Sequence, residues 1–268
     1  MVLEANTDYW RKTPHVKRLV MKSVPEATTR LAMLKQREAD VAYAIFGPLA
    51  EEVQNDPHLK LEVVQGQATQ WIAIIDQYDP KSPWSDPRVR LAANHGINWP
   101  AINDAENLGY ANLIGGIIPK KFAYALPFES YGYDPKKARQ LLKDAGYANG
   151  FDAGECSTDT PYASVIEGVV NDLAVIGIRA RLRPMERAAM QAAQKEKTVK
   201  GLTRLGSGAF GNAATRIEAF MFSQGALSFL RDADIDAWYT QQIIMRDPQQ
   251  RQALLHKIQQ KAYDEARF

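Results

Sequence analysis

Apolar segments of strand length alternate with amphipathic segments of helix length, and this alternation limits the folds open to the chain. Residues 26–38 and the segment PLAEEVQNDP, with Pro48 near its start, have the apolar spacing of helices. Three strand-like segments surround them: VKRLVMKSV at 16–24, DVAYAIF at 40–46 and LKLEVVQG at 59–66. The resulting β-α-β-α-β order favours an α/β layer.

A second unit is predicted to begin near TQWIAIIDQY at 69–78, and it has the same alternation without repeating the sequence. Its predicted helices are RVRLAANHGI, PKKARQLLKDAG, residues 161–175, ERAAMQAAQKEK and a helix-rich end. Its predicted strands are TQWIAIIDQY, residues 153–158, GIRARLRPM and KGLTRLG. The whole chain is therefore predicted to be an α/β protein.

Three Asp-Pro pairs predict where helices begin: Asp86-Pro87, Asp134-Pro135 and Asp247-Pro248. The carboxylate accepts hydrogen bonds from the first turn, and proline lacks a donor that the helix would leave unpaired. At the other end of one such helix, Gly146 is placed to adopt the left-handed conformation that terminates it. Residues 103–133 are too long for an ordinary connection and predict either an ordered functional loop or a covering segment.

Charge and hydropathy exclude several partners. The chain has 46% hydrophobic residues and a net charge of +2 without a basic face, which argues against nucleic acid as a partner. Its longest dense apolar run, WIAIID at 71–76, is far shorter than the roughly 18 residues of a membrane helix. The start, MVLEANTDYW, lacks the basic and apolar regions of a signal peptide, as a mature or truncated secreted protein also would.

Residues that could carry chemistry are sparse. The single Cys156 excludes an intrachain disulfide and predicts a buried thiol, and the four histidines are too far apart in sequence to suggest a metal site. No nucleophile elbow or phosphate-binding lysine motif occurs, so neither a cofactor nor a catalytic residue is predicted. The carboxylates Asp232, Asp234 and Asp236 and the arginines of RARLR are expected to face solvent.

The segment LTRLGSGAFGNAATRIEAF contains G-x-G-x-x-G at Gly206, Gly208 and Gly211. A dinucleotide-binding turn would need an apolar parallel strand before it, a helix after it, and an acid about 20 positions on. Asn212 could cap the helix, and Asp232 or Asp234 lies at the right distance. However, Lys200, Thr203 and Arg204 make the strand half-polar, which disfavours an NAD(P)-dependent oxidoreductase without excluding it.

Several segments together resemble one family, the extracytoplasmic solute-binding proteins of ABC transporters of the peptide/nickel type. EANTDYW resembles the family's A-N-P-D-Y-W, and PEATTRLAMLKQREADVAY resembles P-x-x-x-x-R-x-x-x-L-x-x-G-E-x-D-V. SPWSDPRVRLAANHGIN, YDPKKARQLLKDAGYANGF and LAVIGIRARL resemble three further family segments in the family's order. Departures include Thr7 for proline, Arg37 for glycine and Asn98-Trp99 for Asp-Arg.

The resemblance implies a type II periplasmic-binding-protein-like fold. Because family members approach twice this length, it also implies a fragment, with partial lobe one at 1–65 in a β-α-β-α-β slice and lobe two at 66–268. The full-length form is expected to be periplasmic or otherwise extracytoplasmic.

The resemblance also gives the glycine segment a different role. Peptide-binding members have a W-x-A-D-Y-like segment here, whose aspartate can hold a peptide amino terminus, and this chain has no acid at the matching position. Small residues leave room for a ligand. The candidate ligand-binding residues are Ser207, Gly208, Phe210 and Asn212, followed by Trp71, Trp84, Tyr110 and the 112–119 loop. The sequence leaves open that the glycines only shape a turn and that the aromatics are core residues.

The predicted function is solute binding for an ABC-type importer, without catalysis, through an interlobe cleft that takes a peptide or other small solute. The expected partners are this ligand and the transporter permease. Two alternatives stay open: a naturally shortened paralogue that acts as an interaction module, with a possible homodimer, and the oxidoreductase above.

Overall fold

The computed structural model describes residues 1–64, 66, 68–208 and 211–268. These residues form two compact units, Met1–Glu62 and Val63–Phe268. The first unit contains β1 (Val2–Glu4), β2 (Arg18–Val20), α1 (Ala27–Lys35) and α2 (Gly47–Asn55). The two strands pair antiparallel, and a small core forms where Leu31 of α1 and Ala50 and Val53 of α2 are buried.

The first unit departs from the predicted β-α-β-α-β order. Both helices are confirmed, but residues 40–46 and 59–64 form no strand in the described part of the chain. In the first of these segments Ala44 is left-handed, with φ 58°. The Arg30 guanidinium donates to the carbonyls of Tyr43 and Ala44 at 3.0 and 2.8 Å, so a side chain satisfies acceptors that a strand ladder would use.

The second unit is built on a four-stranded sheet that confirms the predicted strands. Its order is β3-β6-β4-β5, where β3 is Thr69–Ile74, β4 is Phe151–Asp159, β5 is Ile178–Met185 and β6 is Leu202–Ser207. β4 lies parallel to both β5 and β6, whereas β3 is antiparallel to β6. The carboxyl ends of β4 and β6 therefore meet at one edge of the sheet, beside the start of β3.

Eight helices belong to the second unit within the described residues. They are α3 (Pro87–Gly96), α4 (Trp99–Asn107), α5 (Pro135–Asp144), α6 (Ala163–Val175), α7 (Arg187–Lys195), α8 (Ala213–Phe220), α9 (Ala233–Ile244) and α10 (Pro248–Asp264). All three Asp-Pro predictions are confirmed, because each aspartate accepts hydrogen bonds from backbone amides of the first turn. Gly146 follows α5 with φ 91°, as predicted.

The sheet separates two hydrophobic cores. Along β3, Ile72 and Ile74 face the core formed with α3, α5 and α6, whereas Trp71 and Ala73 face the core formed with α8, α9 and α10. This alternation follows from the two-residue period of a strand. Cys156 of β4 is buried in the first core, as predicted, and burial raises the pKa of its thiol to about 12.

The long segment after α4 covers the second core. Ile117, Ile118 and Phe122 are buried in that core. Phe128 and Tyr131 stack on Tyr263 of α10, with ring centroids 4.3 and 4.7 Å apart. Of the two predictions for residues 103–133, these contacts fit the covering segment. No described helix combines the length and apolarity needed to cross a membrane.

Candidate solute-binding groove

A polar groove of about 180 Å³ opens at the edge of the sheet where β4 and β6 end. Its walls come from the first residues of β3, the end of β4, the first turns of α7, and the end of β6 through Gly208. Ligands of open α/β folds commonly bind at the carboxyl ends of parallel strands, because helices cover both faces of the sheet. The groove lies entirely within the second unit.

An ion pair forms one side of the groove. Arg204 Nη1 of β6 donates to Asp159 Oδ1 of β4 at 2.7 Å, with side chains only 13% and 7% exposed. The guanidinium also lies over the Tyr162 ring, 3.5 Å from its centroid. Burial lowers the pKa of Arg204, and the carboxylate of Asp159 opposes this effect.

Two glutamines complete the setting of Arg204. Gln70 Oε1 of β3 accepts from Arg204 Nε at 3.2 Å. Gln194 of α7 donates through Nε2 to the Arg204 carbonyl at 2.8 Å and to Thr203 Oγ1 at 3.3 Å. The Arg204 side chain is thus held by β4 and β3, and its backbone by α7, so its position is fixed before any ligand arrives.

The segment that follows β6 is held by contacts with α8. Arg216 of α8 is buried, and its Nη1 donates to the Ser207 carbonyl at 3.2 Å. Asn212 caps α8, as predicted, since its Oδ1 accepts from the Thr215 amide at 3.2 Å. Ala213 N also donates to the Ala123 carbonyl at 2.9 Å. These contacts hold Ser207 and Asn212 at the two ends of the glycine segment.

The structure brings together only some of the residues singled out from sequence. Ser207 and Gly208 line the groove, and Asn212 lies at the start of α8 with its side chain engaged in capping. Phe210 falls outside the described residues. Tyr110 is 42% exposed on the segment after α4 and is not among the residues that line the groove.

Trp71 and Trp84 are core residues, which is the alternative that the sequence left open for them. Trp71 packs edge-on against Phe220 in the second core, with ring centroids 4.8 Å apart. Trp84 packs edge-on against Phe151 in the first core at 5.3 Å and is 2% exposed. An indole this deeply buried has almost no surface to offer a solute.

Most residues that line the groove were missed from sequence, among them Asp159, Tyr162, Arg187 and Arg204. From sequence, Arg204 served only as evidence that its strand is too polar for the central strand of a dinucleotide-binding fold. A usable signal existed, because charged residues near the carboxyl ends of predicted parallel strands are placed at the edge where ligands bind. Arg179, Arg181 and Arg183 of β5 are exposed, as predicted.

The acid that a dinucleotide-binding turn would use has another role. Asp232 caps α9 instead of following a strand, and it forms ion pairs with Lys261 and Arg267 at 3.6 and 3.4 Å. It is buried, so the expectation that it faces solvent was wrong. The contact of β6 with antiparallel β3 also differs from the all-parallel arrangement expected around such a turn.

The comparison with protein families agrees with this fold. Residues 1–228 match the model of the bacterial extracellular solute-binding proteins, family 5 (middle region). The chain belongs to this family. Among curated family relatives, the glutathione-binding proteins GsiB of Shigella dysenteriae and Escherichia coli are 28% identical over 273 residues. The match covers 96% of this chain and 52% of each relative, so the chain spans about half the length of these proteins.

Solved structures show the same type II periplasmic-binding-protein architecture. The Helicobacter pylori periplasmic binding protein DppA, in complex with the peptide STSA, has a TM-score of 0.80 at 23% identity. NikA of Brucella suis, in complex with Fe(III)-EDTA, has a TM-score of 0.85, also at 23% identity. Each match covers 99% of this chain, and 53% and 58% of the respective structures. The likeness confirms the predicted fold class.

Proposed function

We propose that the chain provides one wall of the ligand cleft of a solute-binding protein that serves an ABC-type importer. The observation that carries the proposal is the fixed polar groove at the carboxyl ends of β4 and β6, in a chain of the solute-binding family. Relatives named for glutathione binding and neighbours crystallised with a peptide or a metal chelate support a peptide or other small solute as the ligand.

In this proposal the second unit is the larger part of lobe two, and the first unit is a portion of lobe one. The ligand is enclosed by hinge closure between the lobes, and the closed form is presented to the transporter permease outside the cytoplasm. The proposed role is transport without catalysis. Arg204, Gln70 and Gln194 form a rigid floor, and Ser207 and Gly208 line the groove beside them.

Binding can be measured by titrating the isotopically labelled chain with glutathione and following its amide NMR signals. We expect saturable shifts of the Gly206 and Gly208 amides with a dissociation constant on the order of millimolar, because one wall supplies only part of the contacts. Gly146 lies after α5 and does not line the groove, so its amide is the internal control. Shifts absent at Gly206 and Gly208, or spread equally to Gly146, would contradict the proposed site.

Calorimetry tests the second part of the proposal, that the wall is incomplete by itself. A tight one-to-one isotherm with glutathione or a short peptide would contradict it, because such affinity requires a largely enclosed ligand.

A second candidate function is supported by the first unit. All six residues of β1 and β2 are exposed, and the apolar ones include Val2, Leu3, Leu19 and Val20. Exposed apolar strands with free edges are sites of protein association. An interaction module that forms homodimers would show a mass in light scattering that rises with concentration, and Leu19→Lys would reduce this rise.

A further inference from the structure

Three charged side chains line the described part of the groove: Asp159, Arg187 and Arg204. Asp159 is committed to Arg204 through a contact of 2.7 Å, and its side chain is only 7% exposed. A ligand ammonium would therefore have to displace a guanidinium to reach this carboxylate. Asp159, the one acid among the described lining residues, is therefore poorly placed to select a cation.

Arg187 has the opposite character. It is the first residue of α7, it is exposed, and it has no ion-pair partner among the described residues. Gln191 lies one turn later on the same helix and also lines the groove. A guanidinium and an amide of α7 thus line the same groove as Ser207 and Gly208 of the β6 end.

The nearest acid to Arg187 in sequence is occupied elsewhere. Glu186 caps α7, and its Oε2 accepts from the amides of Ala188 and Ala189 at 2.8 and 3.2 Å. This cap also satisfies the helix N-terminus, which could otherwise attract a phosphate. One guanidinium without a free helix N-terminus suits a singly charged carboxylate better than a phosphate, which carries about two negative charges near neutral pH.

We propose that the groove selects solutes that carry a carboxylate, and that Arg187 is the residue that pairs with it. This inference rests on the proposed function, since it names the ligand class of the same groove. Arg204 lies in the same groove, but Asp159 neutralises its charge and Tyr162 stacks on its guanidinium, so Arg187 is the unpaired charge among the described groove residues. This agrees with the sequence, which has no acid at the position where peptide-binding members have an aspartate that can hold an amino terminus.

Three probes of equal length isolate the charge of the ligand. The first probe, N-acetyl-trialanine, carries one carboxylate. The second, N-acetyl-trialanine amide, is neutral, and the third, trialanine amide, carries one ammonium. Each is titrated into the labelled chain while the Gly206 and Gly208 amide signals are followed. We expect the carboxylate to bind about three- to tenfold more tightly than the neutral amide, and the ammonium no more tightly than the neutral amide.

Arg187→Gln should remove this preference. The matched control is Arg183→Gln, because Arg183 is also exposed but pairs with Glu155 at 2.7 Å and does not line the groove. The control should retain the preference, and well-dispersed spectra should show that both variants are folded.

The outcomes separate the inference from the proposed function. Equal binding of all three probes at Gly206 and Gly208 would overturn the carboxylate preference and leave solute binding supported. Tighter binding of the ammonium probe would also overturn the carboxylate preference and leave solute binding supported. A carboxylate preference that survives Arg187→Gln would overturn the role of Arg187. Binding of none of the probes at millimolar concentration would count against both the inference and the proposed function.

Discussion

Arg204 and Asp159 are 45 residues apart in sequence, yet their side chains meet at 2.7 Å where β6 and β4 end. Both are largely withdrawn from solvent, so removal of one partner leaves the other charge buried and unpaired. We expect Asp159→Asn to lower the free energy of unfolding by about 3 kcal/mol, measured by urea denaturation followed by circular dichroism. The double variant Asp159→Asn/Arg204→Gln should lose less unfolding free energy than the sum of the losses of the two single variants.

The neighbouring strand pair offers the control for this prediction. Arg181 of β5 and Asp152 of β4 form an ion pair at 3.0 Å, but their side chains are 67% and 59% exposed. Solvent screens such a pair, so Asp152→Asn should leave the urea midpoint nearly unchanged. A loss at Asp152 equal to that at Asp159 would show that burial does not distinguish the two pairs.

Asp86 links helix capping to acid stability. Its carboxylate accepts from the Arg88 side chain and from the Arg88 amide, and these hydrogen bonds, the side-chain one above all, hold the pKa of Asp86 below its usual 3.8. A carboxyl with a lower pKa in the folded state adds stability above the unfolded-state pKa. This stability is lost as the pH falls through the folded-state pKa.

Two substitutions separate the capping and charge contributions of Asp86. Asp86→Ala removes the capping acceptor and should cost about 1 kcal/mol at neutral pH. Asp86→Asn keeps an acceptor but cannot titrate, so its free energy of unfolding should depend less on pH below 3.8 than that of the unmodified chain. Urea denaturation at a series of acidic pH values measures both effects. Parallel pH curves for the Asn variant and the unmodified chain would contradict the role of the charge.

Local chemistry made much of the second unit predictable from sequence. The caps at Asp86, Asp134 and Asp247 depend on residues within one turn, and they were predicted correctly. A strand depends on its partner as well as on its own pattern. The segment DVAYAIF is apolar enough for a strand, but no described strand pairs with it and Arg30 binds its carbonyls.

The candidate site was predictable in part for the same reason. Ser207 and Gly208 were found because a family segment marked their position. Asp159 and Arg204 come together only through the sheet order β3-β6-β4-β5, and the periodicity of a single chain does not reveal strand order. Trp84 was proposed for the site because an aromatic residue near a cleft can stack on a ligand, but its burial makes it a core residue.

The glycines of the G-x-G-x-x-G segment differ in what they require. A Cβ on Gly211 would lie 2.5 Å from Thr215 Oγ1, and the φ of Gly211 is 153°. Among the described residues, a Cβ on Gly208 would meet only Ala68 Cβ, at 3.9 Å. Gly211→Ala should therefore cost about 1–3 kcal/mol of unfolding free energy. Gly208→Ala should stay within about 0.5 kcal/mol of the unmodified chain. Urea denaturation of both variants checks this order, and equal losses would contradict it.

Trp84 distinguishes a core residue from a ligand-binding one. Its indole packs on Phe151 in the first core, and its carbonyl accepts from Arg90 Nη1 at 2.8 Å. Trp84→Ala should cost about 3–5 kcal/mol, because it removes a large buried ring and leaves a cavity. Trp10→Ala is the control for residue type, since Trp10 is 76% exposed and its removal should change the urea midpoint little.

The two roles of Trp84 predict opposite results for the conservative variant Trp84→Phe. A core residue gives a smaller loss of stability than Trp84→Ala, because part of the ring volume remains, and leaves the affinity for glutathione unchanged. A ligand-binding residue gives unchanged stability and a higher dissociation constant. We expect the first result, with the Gly206 and Gly208 amide signals near their original positions, because the indole packs in the core and not on the groove.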